Sequence, residues 1–198
     1  MISSPSRYPV AIPDLHLPIE ETLFRAMNVD GGPFLDGLAR LLSRPAFGVA
    51  WAVLLAATLV VVARARAGRH PWAWAYALAA ALAITDAMGS QVVRPLFPRA
   101  RPAYALPPGT VRFLAPAANV GSIPSLHAAN FFAMAAVGSA GIPALAPLLY
   151  AVAIGVAWSR LYVGVHWPGD VLLGAAWGSF WGLFCILVLR KILRRGGS

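Results

Sequence analysis

Charge is scarce in this chain. Of its 198 residues 12% are charged, with fifteen arginines, a single lysine and seven acids. A soluble domain of this size carries about twice that charged fraction. The 59% of residues that are hydrophobic fall in long blocks, so the chain reads as an integral membrane protein, and its length as one domain, 1–198. Cysteine is scarcer still: Cys185 stands alone in an apolar run, which excludes an intrachain disulfide and a thiolate metal cluster. It reads as a small packing residue. The first seventeen residues, MISSPSRYPVAIPDLHL, lack an apolar signal core, so no cleavable signal peptide is expected. Also missing are an internal repeat, a low-complexity tract and a Lys/Arg-rich soluble face. The net charge of +9 comes from basic residues that flank or interrupt apolar blocks. That excludes nucleic acid as a partner and points to an anionic membrane surface and an anionic substrate.

What is present is organised by hydropathy. Residues 1–17 bear Pro and Ser and read as irregular. From Pro18 to Leu42, Leu23, Phe24, Met27, Phe34, Leu35, Leu38 and Leu41 interleave with Glu20, Glu21, Arg25, Asp36 and Arg40. Asp30-Gly31-Gly32-Pro33 divides the stretch, which predicts two amphipathic helices lying on the bilayer. Residues 1–45 are thus an interfacial segment, and 46–198 a catalytic helical bundle. Five spans are predicted there: Ala46–Ala63, Trp72–Val93, Ser125–Gly138, Ile142–Trp158 and Gly169–Leu189. The fold class is all-α, an integral membrane bundle of about five transmembrane helices. Trp72, Trp74 and Tyr76 open the second span as an aromatic belt. With alternating spans, the basic 64–70 loop and the Arg190, Lys191, Arg194, Arg195 tail share one side, the cytoplasmic one. The arginine-bearing segments 94–123 and 159–168 share the other.

Three segments on that second side carry the chemistry. In Ser159–Asp170, SRLYVGVHWPGD, Arg160 offers a forked cation for phosphate or carboxylate. Pro168 and Gly169 turn into a new helix, with Asp170 in its first turn. There Asp170 reaches the His166 ring, fixing its tautomer and raising the basicity of the other nitrogen. In RPLFPRARP, Arg94 and Arg101 add permanent positive charge. In SIPSLHAAN, Ser125 and the N–H groups after it open a helix, where dipole and free donors favour an oxyanion. Such a cage suits a group with three equatorial oxygens, and two histidines, His127 and His166, supply a nucleophile and an acid for phosphoryl transfer. No carboxylate cluster suits Mg²⁺, so arginines stand in its place.

These segments resemble the three signature motifs of the type-2 phosphatidic acid phosphatase superfamily, K-x6-RP, PSGH and SR-x5-H-x3-D. The match runs over roughly residues 86–174, in order and with the right internal spacing. The resemblance implies that His166 is the nucleophile of a phosphohistidine, oriented by Asp170, and His127 the general acid. It implies that Arg94, Arg101, Ser125, Arg160 and the Leu126 N–H bind the phosphoryl oxygens, with no metal and no cofactor. Two positions depart from the pattern: Arg94 replaces Lys, and Leu126 replaces Gly, which puts substrate size in question.

Other residues are read more plainly. Asp86, inside the second span, is a polar anchor or the partner of a loop arginine. Asn130, one turn after His127, is placed to orient that ring. Ser159 caps a loop; His16 and His70 are surface or interfacial; Trp167 and Tyr162 form a belt; Gly174 and Gly178 allow close helix packing. The partners implied are a lipid phosphate and membrane lipids. SIPSLHAAN further resembles bacterial members assigned to undecaprenyl diphosphate dephosphorylation, which implies a polyprenyl phosphate or diphosphate at the non-cytoplasmic face of a bacterial inner membrane. Phosphatidic acid, phosphatidylglycerol phosphate and lipid A are the other substrates of the class. A lipid-to-lipid phosphotransferase and a non-enzymatic anion carrier are the rival readings. The sequence is silent on oligomeric state.

Overall fold

The structure is a computed structural model that describes residues 16–66, 70–115 and 121–195. Most of the irregular 1–17 segment, and Arg69 in the basic loop, lie outside them. Helix α1 (Pro18–Met27) starts with Pro in its first turn, followed by Glu20 and Glu21 at the positive end of the helix dipole. Glu20 also reaches back to accept a bond from the Leu17 N–H at 3.1 Å. After a break, α2 (Gly32–Leu42) follows. Both are amphipathic, as predicted, and they close one end of the bundle. The Asn28 amide bonds the Arg112 and Tyr162 carbonyls at 2.9 and 2.7 Å. Asp36 accepts from the Tyr162 hydroxyl at 2.6 Å and pairs with Arg112 at 2.9 Å.

The bundle consists of α3 (Pro45–Ala65), α4 (Ala73–Met88), α7 (Leu126–Gly141), α8 (Ala146–Tyr162) and α9 (Pro168–Arg195). A π-helical turn, Gly89–Val93, joins α4 to a last turn, α5 (Arg94–Leu96), and α6 (Pro102–Ala105) lies in the loop beyond. Four segments have the length and apolarity to cross a bilayer: Pro45–Ala65, Ala73–Leu96, Pro143–Tyr162 and Pro168–Arg195. The third predicted span is shorter. Helix α7 has 16 residues, about 24 Å of rise, because it begins at the depth of the site. It is also the central element, its Phe131, Met134 and Val137 buried among Leu59, Leu78, Val156 and Ile186 from the four helices around it. Outward-facing Val53, Val61, Ile154, Leu172, Leu187 and Phe180 are exposed, as lipid-facing residues must be.

The α7–α9 contact fixes the site. A methyl group on Gly178 would lie 1.8 Å from the Ala129 carbonyl oxygen, and one on Gly174 would lie 2.4 Å from that of Ser125. Backbone therefore touches backbone, as the small-residue spacing predicted. The Ser125 N–H donates to the Asp170 carbonyl at 3.0 Å, locking the start of α7 onto the start of α9. At the opposite end, Arg66 bonds the Gly141 carbonyl, and His70–Ala73 share an apolar groove with Ile192 and Leu193. Arg66 at the end of α3, His70 at the approach to α4 and the C-terminal end of α9 thus lie at one end of the bundle, away from the Arg94, Arg101 and His166 end.

Candidate active site

The site grows from a sharp connection. Helix α8 runs through Ser159 and Arg160 to Tyr162, so these residues are helical rather than part of a loop. Ser159 does not cap a loop: its buried hydroxyl bonds the Val156 carbonyl at 2.7 Å and the Ser43 hydroxyl at 2.9 Å. Tyr162 and Trp167 are not a belt either. Both are enclosed, Trp167 by Phe24, by the stacked His16 ring at 4.3 Å and by its own N–H bond to the Ala100 carbonyl at 2.9 Å. His16 is accordingly half-buried, whereas His70 is exposed.

Between α8 and α9 the chain turns at Gly164 and presents His166, which is 2% exposed. Asp170 is fully buried, and its Oδ2 accepts the Trp167 N–H at 2.8 Å, closing the first turn of α9. The same oxygen lies 3.5 Å from His166 Nδ1, longer than a formed hydrogen bond. On the other side of the ring, Arg101 Nη1 lies 3.0 Å from Nε2 and 2.7 Å from the Val165 carbonyl. A guanidinium can only donate. Nε2 must therefore carry the lone pair and Nδ1 the proton, facing Asp170. Burial, then the Arg101 and Arg160 charges, holds the His166 pKa well below the ordinary imidazole range. Burial, and next the Arg94 charge, pushes Arg101 down to about 10, which leaves it a cation at neutral pH.

A cavity of about 600 Å³ opens in front of His166. Arg94, Arg101, Arg160, Leu126 and His127 line its inner end, and Gly48, Val49, Ala52, Leu82 and Ala83 its apolar flank between α3 and α4. Arg160 Nη1 bonds the Ser43 carbonyl at 3.2 Å and Arg94 Nη2 the Pro124 carbonyl at 3.4 Å. Buried polar atoms without a protein partner gather here: Arg94 Nε, Arg160 Nε and His127 Nε2, whereas Ser125, whose buried hydroxyl is also unpartnered, does not line the cavity. Such atoms are costly unless a ligand satisfies them. Leu126 does not fill the cage, because its Cδ2 leans on Gly89 in the π turn.

Asp86 is open to the cavity and accepts the Asn130 amide at 3.3 Å. Asn130 thus serves Asp86, not the His127 ring. Among the described residues no three His, Cys, Asp or Glu side chains converge as metal ligands.

Sequence reasoning passed over Arg99. It is buried, donates to Asp170 Oδ1 at 2.9 Å and to Glu20, and lies over the Trp167 ring at 5.6 Å. It shares the RPLFPRARP segment with Arg94 and Arg101, but the K-x6-RP pattern that singles out those two leaves Arg99 unmarked.

A family model described as the PAP2 superfamily matches residues 72–194. The chain belongs to the PAP2 superfamily. This is the type-2 phosphatidic acid phosphatase superfamily that the three motifs resemble. Two crystal structures share the fold of this PAP2 protein. One is of Aquifex aeolicus LpxE, 24% identical, TM-score 0.68, covering 86% of this chain and 96% of that one. The other is a transmembrane PAP2-type phosphatidylglycerolphosphate phosphatase from Bacillus subtilis, 21% identical, TM-score 0.65, covering 88% and 86%. No curated protein sequence matches significantly.

Proposed function

We propose that this PAP2-superfamily membrane enzyme, a lipid phosphatase, works through a phosphohistidine on Nε2 of His166. As Arg101 turns its N–H from Nε2 to a phosphoryl oxygen, the freed Nε2 lone pair attacks phosphorus while the bond from phosphorus to the leaving oxygen breaks. His127, charged once the phosphate anion sits among the arginines, gives that oxygen its Nε2 proton. Water then attacks the phosphohistidine, His127 takes a proton back, and inorganic phosphate leaves with the imidazole restored. Arg94, Arg101, Arg160, the Ser125 hydroxyl and the Leu126 N–H neutralise the phosphoryl oxygens, in place of a divalent ion. Asp170 faces the Nδ1 proton and balances the positive charge that the ring gains on phosphorylation.

One observation carries the reading: His166, its unprotonated Nε2 marked by the Arg101 N–H that it accepts, lines a cavity whose other buried polar atoms, Arg94 Nε, Arg160 Nε and His127 Nε2, have no protein partner. The apolar flank of that cavity suits a lipid tail. The basic 64–66 and 190–195 ends mark the cytoplasmic side, so the site serves the non-cytoplasmic leaflet of a bacterial inner membrane. Polyprenyl phosphates and diphosphates lead the substrate class, from the SIPSLHAAN resemblance. Phosphatidylglycerol phosphate, for which the Bacillus relative is named, stands next.

The test is phosphate release by purified protein in detergent with EDTA, from undecaprenyl diphosphate, phosphatidic acid, phosphatidylglycerol phosphate and lipid A. Release that survives EDTA and is lost in His166→Ala is expected, and the ranking names the substrate. Release only in the presence of an acceptor lipid would make the protein a phosphotransferase. Binding without release would make it a carrier.

A further inference from the structure

Glu20 belongs to none of the three motifs and sits on the N-terminal amphipathic helix, yet it is built into the back of the site. One of its oxygens accepts the Gly169 N–H at 2.9 Å, at the start of α9. The other accepts from Arg99 Nη2, while Arg99 Nη1 donates to Asp170 Oδ1 at 2.9 Å. The side chains of Glu20, Arg99 and Asp170 are 13%, 5% and 0% exposed. Charges alternate from α1 inward: Glu20 negative, Arg99 positive, Asp170 negative, then the imidazole that becomes positive when it takes the phosphoryl group. The Trp167 ring, clamped by Phe24 of α1, backs Arg99.

We propose that Glu20 and Arg99 are positioning residues for the phosphohistidine chemistry, making α1 a working part of the active site; this rests on the lipid phosphatase reading above. Arg99 keeps the buried Asp170 ionised and fixes which oxygen faces the His166 ring. Asp170 Oδ2 already accepts the Trp167 N–H, so the tilt of its carboxylate sets the 3.5 Å gap to Nδ1. Glu20 balances Arg99, so that Arg99 does not draw the Asp170 charge wholly to itself. Without Glu20 the field at His166 becomes more positive, the imidazolium form is less favoured, and Nε2 is a weaker nucleophile. The charged and titratable groups facing His166 directly are Arg101 from the loop, Arg160 from α8, His127 from α7, Arg94 from α5 and Asp170 from α9. Glu20 and Arg99 act through the last of these.

The test compares Glu20→Gln, Arg99→Gln, Arg99→Lys and the Glu20→Gln/Arg99→Gln double variant, with Glu21→Gln on the same helix as control. Phosphate release from phosphatidic acid micelles is measured against pH, beside the folded fraction by size exclusion. Glu20→Gln is expected to lower kcat about tenfold with KM unchanged, and to move the acid limb of kcat/KM to lower pH. Arg99→Gln is expected to cost about a hundredfold, partly recovered in Arg99→Lys, with the double variant no worse than Arg99→Gln. Glu21→Gln stays at the wild-type rate. A second readout needs no substrate: the ¹⁵N resonance of His166 Nδ1 shifts in Glu20→Gln. An unchanged rate, pH profile and resonance in Glu20→Gln would overturn the proposal, as would a loss that only tracks the folded fraction. Wild-type protein that releases no phosphate from any lipid, but whose Nδ1 resonance still moves in Glu20→Gln, would place the failure in the phosphatase reading and not in the Glu20–Arg99 pair.

Discussion

His166 can offer a phosphate only one nitrogen. Arg101 donates to Nε2, and Asp170 waits on the far side of the ring, so the tautomer is set before a substrate arrives. Burial and the surrounding cations hold the pKa of the ring well below 6.5. The sign follows directly. Protonation removes the attacking lone pair, and a depressed pKa displaces that loss to lower pH. The acid limb of kcat/KM, measured on a lipid phosphate monoester, is therefore expected well below pH 6.5 and not near it. His166→Ala is expected to abolish turnover with the protein still folded, because the group removed faces a cavity. His127→Ala is expected to retain a fraction of the rate that is larger for better leaving groups, which a series of aryl phosphates would measure. The sequence displayed these groups because the polar residues at and between the apolar spans fall into three motifs of fixed internal spacing. It did not display Arg99, which looks like its neighbours, or the Asn130–Asp86 pairing, which depends on how α4 and α7 face each other.

Helix packing explains why one departure from the family pattern, Leu126, is tolerated and where change is not. Leu126 fits because Gly89, in the π turn, leaves room for its side chain: a methyl group there would sit 2.6 Å from Leu126 Cδ2. Gly89→Ala is expected to push Leu126 toward the phosphate cage and raise KM severalfold, and Leu126→Gly in the same chain to restore it. Gly178 has no such outlet, since its neighbour is the Ala129 backbone carbonyl. Gly178→Leu is expected to cost more than about 3 kcal/mol and to leave little monodisperse protein on size exclusion. Phe180→Leu, facing lipid, should behave as wild type. Helix boundaries were legible from hydropathy to within a few residues. The central place of α7 was not, because an enclosed central helix and a lipid-facing one have the same apolar composition. Nor was the docking of α1 and α2: Asn28, Asp36 and Glu20 read as a solvated face until their partners at Arg112, Tyr162 and Arg99 were brought to them from more than 70 residues away.

The bundle segregates its chemistry by ends. Among the described residues, Arg64, Arg66 and the basic residues of 190–195 gather at one end, while the other end holds Arg94, Arg101 and Arg160, both motif histidines and the helices that close over them. That division was readable from alternating spans and the placement of arginines. The function proposed for the arginine end, hydrolysis of a lipid phosphate, rests on His166 becoming phosphorylated. The most direct measurement is to mix the protein with a lipid phosphate labelled with ³²P, quench within a turnover, and map the label. An acid-labile, base-stable label on the peptide containing His166, absent in His166→Ala, is expected. Label elsewhere, or rapid phosphate release with no labelled protein at any quench time, would contradict the proposed function.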